Sequence, residues 1–108
     1  MEKFVREWIK RASFLAREYG KKLEMSDAMI EWAIKTIEKI PMKKESFKQR
    51  ETIPDEVETR KIVDAILYEA GYNRARISPI FKSTKQRFAE ILGIKRKEID
   101  LYRAWCFS

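Results

Sequence analysis

The sequence predicts an all-α fold, a compact bundle of about five helices. Apolar residues recur at spacings of three and four along most of the chain, and no run alternates apolar and polar residues over the length of a strand. Glycine and proline, three each in 108 residues, are too scarce for a loop-rich scaffold. With 44% hydrophobic and 38% charged residues the chain is neither disordered nor collagen-like. The length fits a single domain, 1–108, able to bury about two thirds of the surface its unfolded form exposes.

The first helix is expected to run to Tyr19, with Val5, Trp8, Ile9, Ala12, Leu15, Ala16 and Tyr19 on one side and Gly20 as its stop. A second starts after Ser26, whose hydroxyl can cap free N–H groups, with Met25 and Ile30 in staple spacing. Ile30, Ala33, Ile34, Ile37 and Ile40 form its stripe, and Pro41 is expected to end it. Residues 42–52 show no period and read as a loop anchored by Phe47. Pro54 suits the first turn of a third helix, which Val57, Ile62, Val63, Ile66, Leu67 and Ala70 carry to Gly71. Ala65 and Tyr68 leave its second half apolar nearly all round, the pattern of a central helix.

Pro79 blocks a regular helix in the segment after Gly71, and a short extended piece is expected there. Ser83 and Gln86 then form a capping box for a fourth helix over 83–92, which Gly93 closes. A fifth starts at Lys95 or Arg96 and continues to the end, with Ile99, Tyr102 and Cys106 on one face.

Composition excludes many functions. There is no histidine and a single cysteine, Cys106, so an internal disulfide, the usual zinc sites and histidine-based catalysis are ruled out. Asp55 with Glu58 and Asp64 with Glu69 read as helix carboxylates in salt bridges, and Cys106 as a small buried residue. A non-enzymatic protein without metal or cofactor is expected. Amides are nearly absent (Asn73, Gln49 and Gln86) beside abundant Lys, Arg, Glu and Ile, a balance found in proteins of very hot organisms. No apolar run is long enough to span a membrane, and charges crowd the N-terminus where a signal peptide needs an apolar stretch, so a cytoplasmic location is expected. The first helix could lie on an anionic membrane, but Glu2, Glu7 and Glu18 on its polar face favour core packing instead.

Charge is distributed unevenly. The net +7 divides into +3 over 1–24, −1 over 25–40, +2 over 41–52, −3 over 53–71 and +6 over 72–108. A cationic excess gathered in one third of so small a domain points to a polyanionic partner, with nucleic acid first.

The stretch 83–105 resembles the helix-turn-helix of DNA-binding regulators. Ala89 stands where two steeply crossing helices need a small residue, Gly93 where the turn needs one without a Cβ, and Phe88, Leu92, Ile94 and Ile99 at the apolar positions around them. Tyr102 departs from the branched aliphatic usual in that family, and Glu98 and Asp100 place negative charge on the helix that would approach phosphates. The resemblance implies that the last helix enters the major groove of duplex DNA, with the whole motif spanning about 83–107. By position, Lys95, Arg96, Lys97, Asp100 and Leu101 would face DNA and Arg103 would reach its backbone. Arg96 or Lys97 would donate to guanine and Asp100 accept from cytosine. Lys85 and Gln86 would meet phosphate at a helix N-terminus, and Arg74, Arg76 and Lys82 would extend that footprint. Lys43, Lys44, Lys48 and Arg50 form a second candidate patch.

A further similarity is to a single cyclin-box repeat of archaeal and eukaryotic transcription factor B, in ILYEA of the third helix and FAEILGIKRKEI near the end. It implies contact with DNA or the transcription machinery, although the link between helices two and three is longer here. The expected function is therefore a small basic DNA-binding protein, a transcriptional regulator, with a homodimer conceivable because operators carry two half-sites. The alternative is a helical interaction subunit of a nucleoprotein or replication complex, with an exposed aromatic anchor among Phe4, Trp8, Phe14, Trp32 and Trp105. Single-stranded DNA or RNA binding, with Tyr72, Phe81 or Tyr102 stacking on bases, ranks third.

Overall fold

The computed structural model describes residues 3–43, 54–73 and 96–107, and every regular element among them is helical. The expected loop after 43, the segment around Pro79 and the expected helix over 83–92 lie outside the described residues. Four helices remain: α1 (Lys3–Lys22), α2 (Asp27–Lys43), α3 (Glu56–Tyr68) and α4 (Arg96–Phe107). A π-helical turn, Glu69–Asn73, continues α3.

α1 buries Val5, Trp8, Ala12, Ala16 and Gly20 on one face. Gly20 does not stop it. A Cβ at Gly20 would lie 2.8 Å from Ile30 Cγ1, so the glycine lets α1 and α2 approach closely. The stop comes four residues later, in the paired hydrogen bonds of a Schellman motif. The Met25 N–H donates to the Gly20 carbonyl at 2.9 Å and the Glu24 N–H to that of Lys21 at 3.0 Å. Glu24 makes this turn at φ 58°, a conformation that costs a residue with a Cβ about 1–2 kcal/mol.

Ser26 caps α2 as expected, its Oγ accepting from the Met29 N–H at 3.3 Å. Met25 and Ile30 are both buried in the core, consistent with the staple. Pro41 does not end the helix, which includes it and runs on to Lys43. The missing N–H costs one bond within the last turn, while the Pro41 ring and the neighbouring Ile40 side chain are both buried.

Pro54 lies just outside α3. The N-cap is Asp55, whose carboxylate accepts from the Glu58 N–H at 2.8 Å. The Pro54 carbonyl instead receives the Thr59 hydroxyl at 3.3 Å, and Thr59 Oγ1 receives the buried Trp8 indole N–H at 2.9 Å. This chain ties the middle of α1 to the start of α3. From Ile62 to Tyr68 every side chain of α3 is buried, and α3 packs against α1, α2 and α4. Each fully buried Ile or Leu here contributes about 1.5–3 kcal/mol. Gly71 is not a terminator either: Ala70 and Gly71 are buried within the π-turn, which opens where the Glu69 N–H is shared between the carbonyls of Ala65 and Ile66. No helix among the described residues is long and apolar enough to cross a membrane.

Glycine adopts positive φ without the steric cost borne by Glu24. Glu24→Gly is expected to stabilise the fold by about 0.5–1 kcal/mol, read as a rise of a few degrees in Tm. An unchanged or lower Tm would mean that the Glu24 side chain contributes more than its backbone costs.

Candidate nucleic-acid interface

α4 reaches the bundle through three kinds of contact. Near its start Lys61 Nζ of α3 lies 3.3 Å from Glu98 Oε1. In its middle Arg103 reaches Glu69 at the end of α3, with Nη2 at 2.7 Å and Nε at 2.9 Å from the same carboxylate oxygen. Arg103 Nη1 also meets Asp100 Oδ1 at 3.3 Å, and its guanidinium carbon stands 5.2 Å from the centre of the Tyr68 ring. At the end of α4 the Phe107 ring stacks on Trp32 of α2, centroids 6.0 Å apart and planes 13° from parallel. Cys106 is buried, and Tyr102 and Trp105 pack half-buried against the core.

The helical period decides what is left outside. With Tyr102, Trp105 and Cys106 turned inward, Lys97, Asp100, Leu101 and Ala104 are exposed. The structure therefore brings Lys97, Asp100 and Leu101 of the expected recognition set onto one outward face. Leu101 is 69% exposed.

Arg103 is paired within the fold. Burial works against its charge, but its hydrogen bond to Glu69 and the attraction of that carboxylate, with a further hydrogen bond to Asp100, more than offset this and hold its pKa above the ordinary arginine value. A guanidinium held by two carboxylates anchors α4. The same pairings answer the acidic departures from the helix-turn-helix pattern: Lys61 faces Glu98, and Arg103 faces Asp100. Burial first, then the nearby Glu58 carboxylate, raises the Tyr102 pKa, which keeps its phenol neutral.

Arg74, Arg76, Lys82, Lys85, Gln86 and Lys95 lie outside the described residues, as do Lys44, Lys48, Arg50, Phe47 and Phe81. Arg96 opens α4, but its side chain is not among those described, nor are those of Lys43, Ile99 and Tyr72. Of the aromatics proposed as anchors, Trp8 is fully buried, whereas Phe14 of α1 is 61% exposed. Sequence reasoning missed Glu69 and Lys61 as the residues that seat α4. The one signal in the sequence was a glutamate on the apolar second half of α3.

Asp64 is the buried carboxylate of α3. Its side chain is 1% exposed, Arg60 Nε lies 3.9 Å from Oδ2, and Oδ1 has no hydrogen-bond partner among the described residues. Burial raises its pKa to about 7, against the lowering pull of Arg60. Asp64 and Glu69 thus both face arginines, yet only Glu69 is hydrogen-bonded to one.

Among the described residues no group of three or more His, Cys, Asp or Glu side chains could hold a metal ion. No family model, curated protein or solved structure matches the chain.

The folded Asp64 titrates near 7 and an unfolded aspartate near 4, so between those values the native state holds a proton that the unfolded state has lost. The stability from this group is complete below about pH 4, declines as pH rises to about 7 and is constant above it. Asp64→Asn, neutral throughout, is expected to gain on the parent chain across that window by up to about 1.4 kcal/mol per pH unit, read by denaturant unfolding at pH 4–8. A pH-independent difference would show that Asp64 titrates in the fold as it does in the unfolded chain, near 4.

Proposed function

We propose that this protein binds duplex DNA through the outward face of α4, and that it acts as a transcriptional regulator. The observation that carries the reading is the exposure of Lys97, Asp100 and Leu101 on a helix whose other face is anchored to the bundle. Those are the positions that the helix-turn-helix resemblance assigns to DNA. In this reading α4 is held rigidly enough to present base-contacting side chains, and Arg103 positions the helix without touching nucleic acid. Lys97 and Arg96 supply donors for guanine, and Asp100 an acceptor for cytosine amino groups. Lys95, Lys85 and Gln86 remain proposed DNA contacts, with Arg74, Arg76 and Lys82 as the phosphate footprint.

A second reading is favoured by the apolar side chains on α4. Leu101 and Phe107 are 69% and 41% exposed, the features of a helix that docks on a protein partner, as in a subunit of a larger nucleoprotein assembly.

A salt titration of binding to a duplex library separates the two. DNA binding is expected to weaken linearly in log Kd against log salt. Lys97→Ala and Arg96→Ala are expected to reduce discrimination between sequences by roughly 5-fold or more, while changing non-specific affinity less. No duplex binding at low salt would discard the regulator reading, and Leu101→Asp would then be the variant that releases a protein partner.

A further inference from the structure

The cationic side chains of α1 are arranged along its solvent face. Lys3, Arg6, Lys10, Arg17 and Lys21 follow one another at spacings of three, four, seven and four residues, which places them within a narrow arc of the helix. All five are exposed, and the row is about 27 Å long at 1.5 Å per residue. Lys3, Arg6, Lys10 and Lys21 have no ion pair among the described residues, and Arg17 meets Glu31 of α2 at 3.6 Å in an exposed pair of little strength. Glu7 and Glu18 stand to one side of the row.

Phe14 interrupts this row. It lies four residues after Lys10 and three before Arg17, and its ring is 61% exposed in the middle of the cations. Beside it a cleft of about 320 Å³ opens between α1 and the start of α3, lined by Lys10, Arg11, Phe14, Leu15, Glu56 and Thr59. Arg11 lies 3.9 Å from the Glu56 carboxylate and offsets its charge at the rim. Among the described residues Phe14 is not part of the buried core.

The geometry points to the outer face of α1 as a binding surface for single-stranded nucleic acid, with the cations along the phosphates and a base stacked on Phe14 at the cleft. Charge complementarity selects a polyanion, and the aromatic ring selects a strand whose base faces are open. In a duplex those faces are hidden within the stack. An anionic membrane is disfavoured, because the apolar residues a surface helix would insert, Val5, Trp8, Ala12 and Ala16, are buried against the core. None of the residues of this surface belongs to α4.

The test is fluorescence anisotropy of the full chain with a labelled 20-nucleotide oligothymidine and a 20-base-pair duplex over a range of salt. The single strand is expected to bind, Phe14→Ala to weaken it about 5-fold or more, and Phe14→Trp to restore it. Lys10→Ala with Lys21→Ala is expected to flatten the salt dependence by about 0.7 in log–log slope for each phosphate that is no longer neutralised. Phe14 is exposed, so Phe14→Ala should keep the parent Tm, and Lys97→Ala on α4 should keep the parent affinity for the single strand. Absence of single-strand binding at low salt overturns the inference. So does single-strand binding indifferent to Phe14→Ala, or binding abolished by Lys97→Ala instead. Duplex binding by α4 would stand in any of these cases.

Discussion

The contact between Arg103 and Glu69 orients the last helix, and the surface that α4 presents to solvent depends on it. Both side chains are about three-quarters buried, and two guanidinium nitrogens converge on one carboxylate oxygen. Charged hydrogen bonds in such a setting are worth about 1.5–3 kcal/mol, well above a surface ion pair. Removing either partner would leave a partly buried charge without its complement, which is costlier than the pair is favourable. Helix rotation couples this anchor to the outer face: with Arg103 held against α3, Lys97, Asp100 and Leu101 are turned to solvent.

α3 can hold α4 because it is itself enclosed. Trp8, Thr59 and the Pro54 carbonyl fix its start to α1, and seven consecutive buried residues fix its second half. Its two interior carboxylates illustrate opposite solutions to burial. Glu69 is hydrogen-bonded to an arginine from another helix, whereas Asp64 has a more distant arginine and burial that raises its pKa to about 7. The first joins two helices; the second makes the core sensitive to pH.

Periodicity revealed the buried faces of α1, α2 and α3 because spacing reports directly which residues share a side. Val5, Trp8, Ala12 and Ala16 could be read as a core stripe with no knowledge of their neighbours, and all are buried. Helix ends were less legible. Gly20, Pro41 and Gly71 each suit a terminus, yet each is buried inside or beside a continuing helix, and the true end of α1 uses a glutamate at positive φ. At the start of α3, Pro54 drew the boundary too early, because the residue that caps the helix is Asp55. On α4, spacing placed Tyr102 and Cys106 on the inward face, and Lys97, Asp100 and Leu101 are exposed on the other. The commitment of Arg103 did not follow from spacing, because Glu69 lies 34 residues away and no local pattern links them.

The most direct measurement is a double-mutant cycle between Arg103 and Glu69, each replaced by Ala singly and together, with unfolding free energy and duplex affinity read on all four proteins. A coupling of about 1–2 kcal/mol in stability is expected, and the proposed duplex affinity should fall to a similar extent in Arg103→Ala and Glu69→Ala, because either loses the anchor that orients α4. Coupling near zero, together with an Arg103→Ala protein that folds normally but loses duplex binding, would contradict the anchoring role and return Arg103 to the nucleic-acid surface.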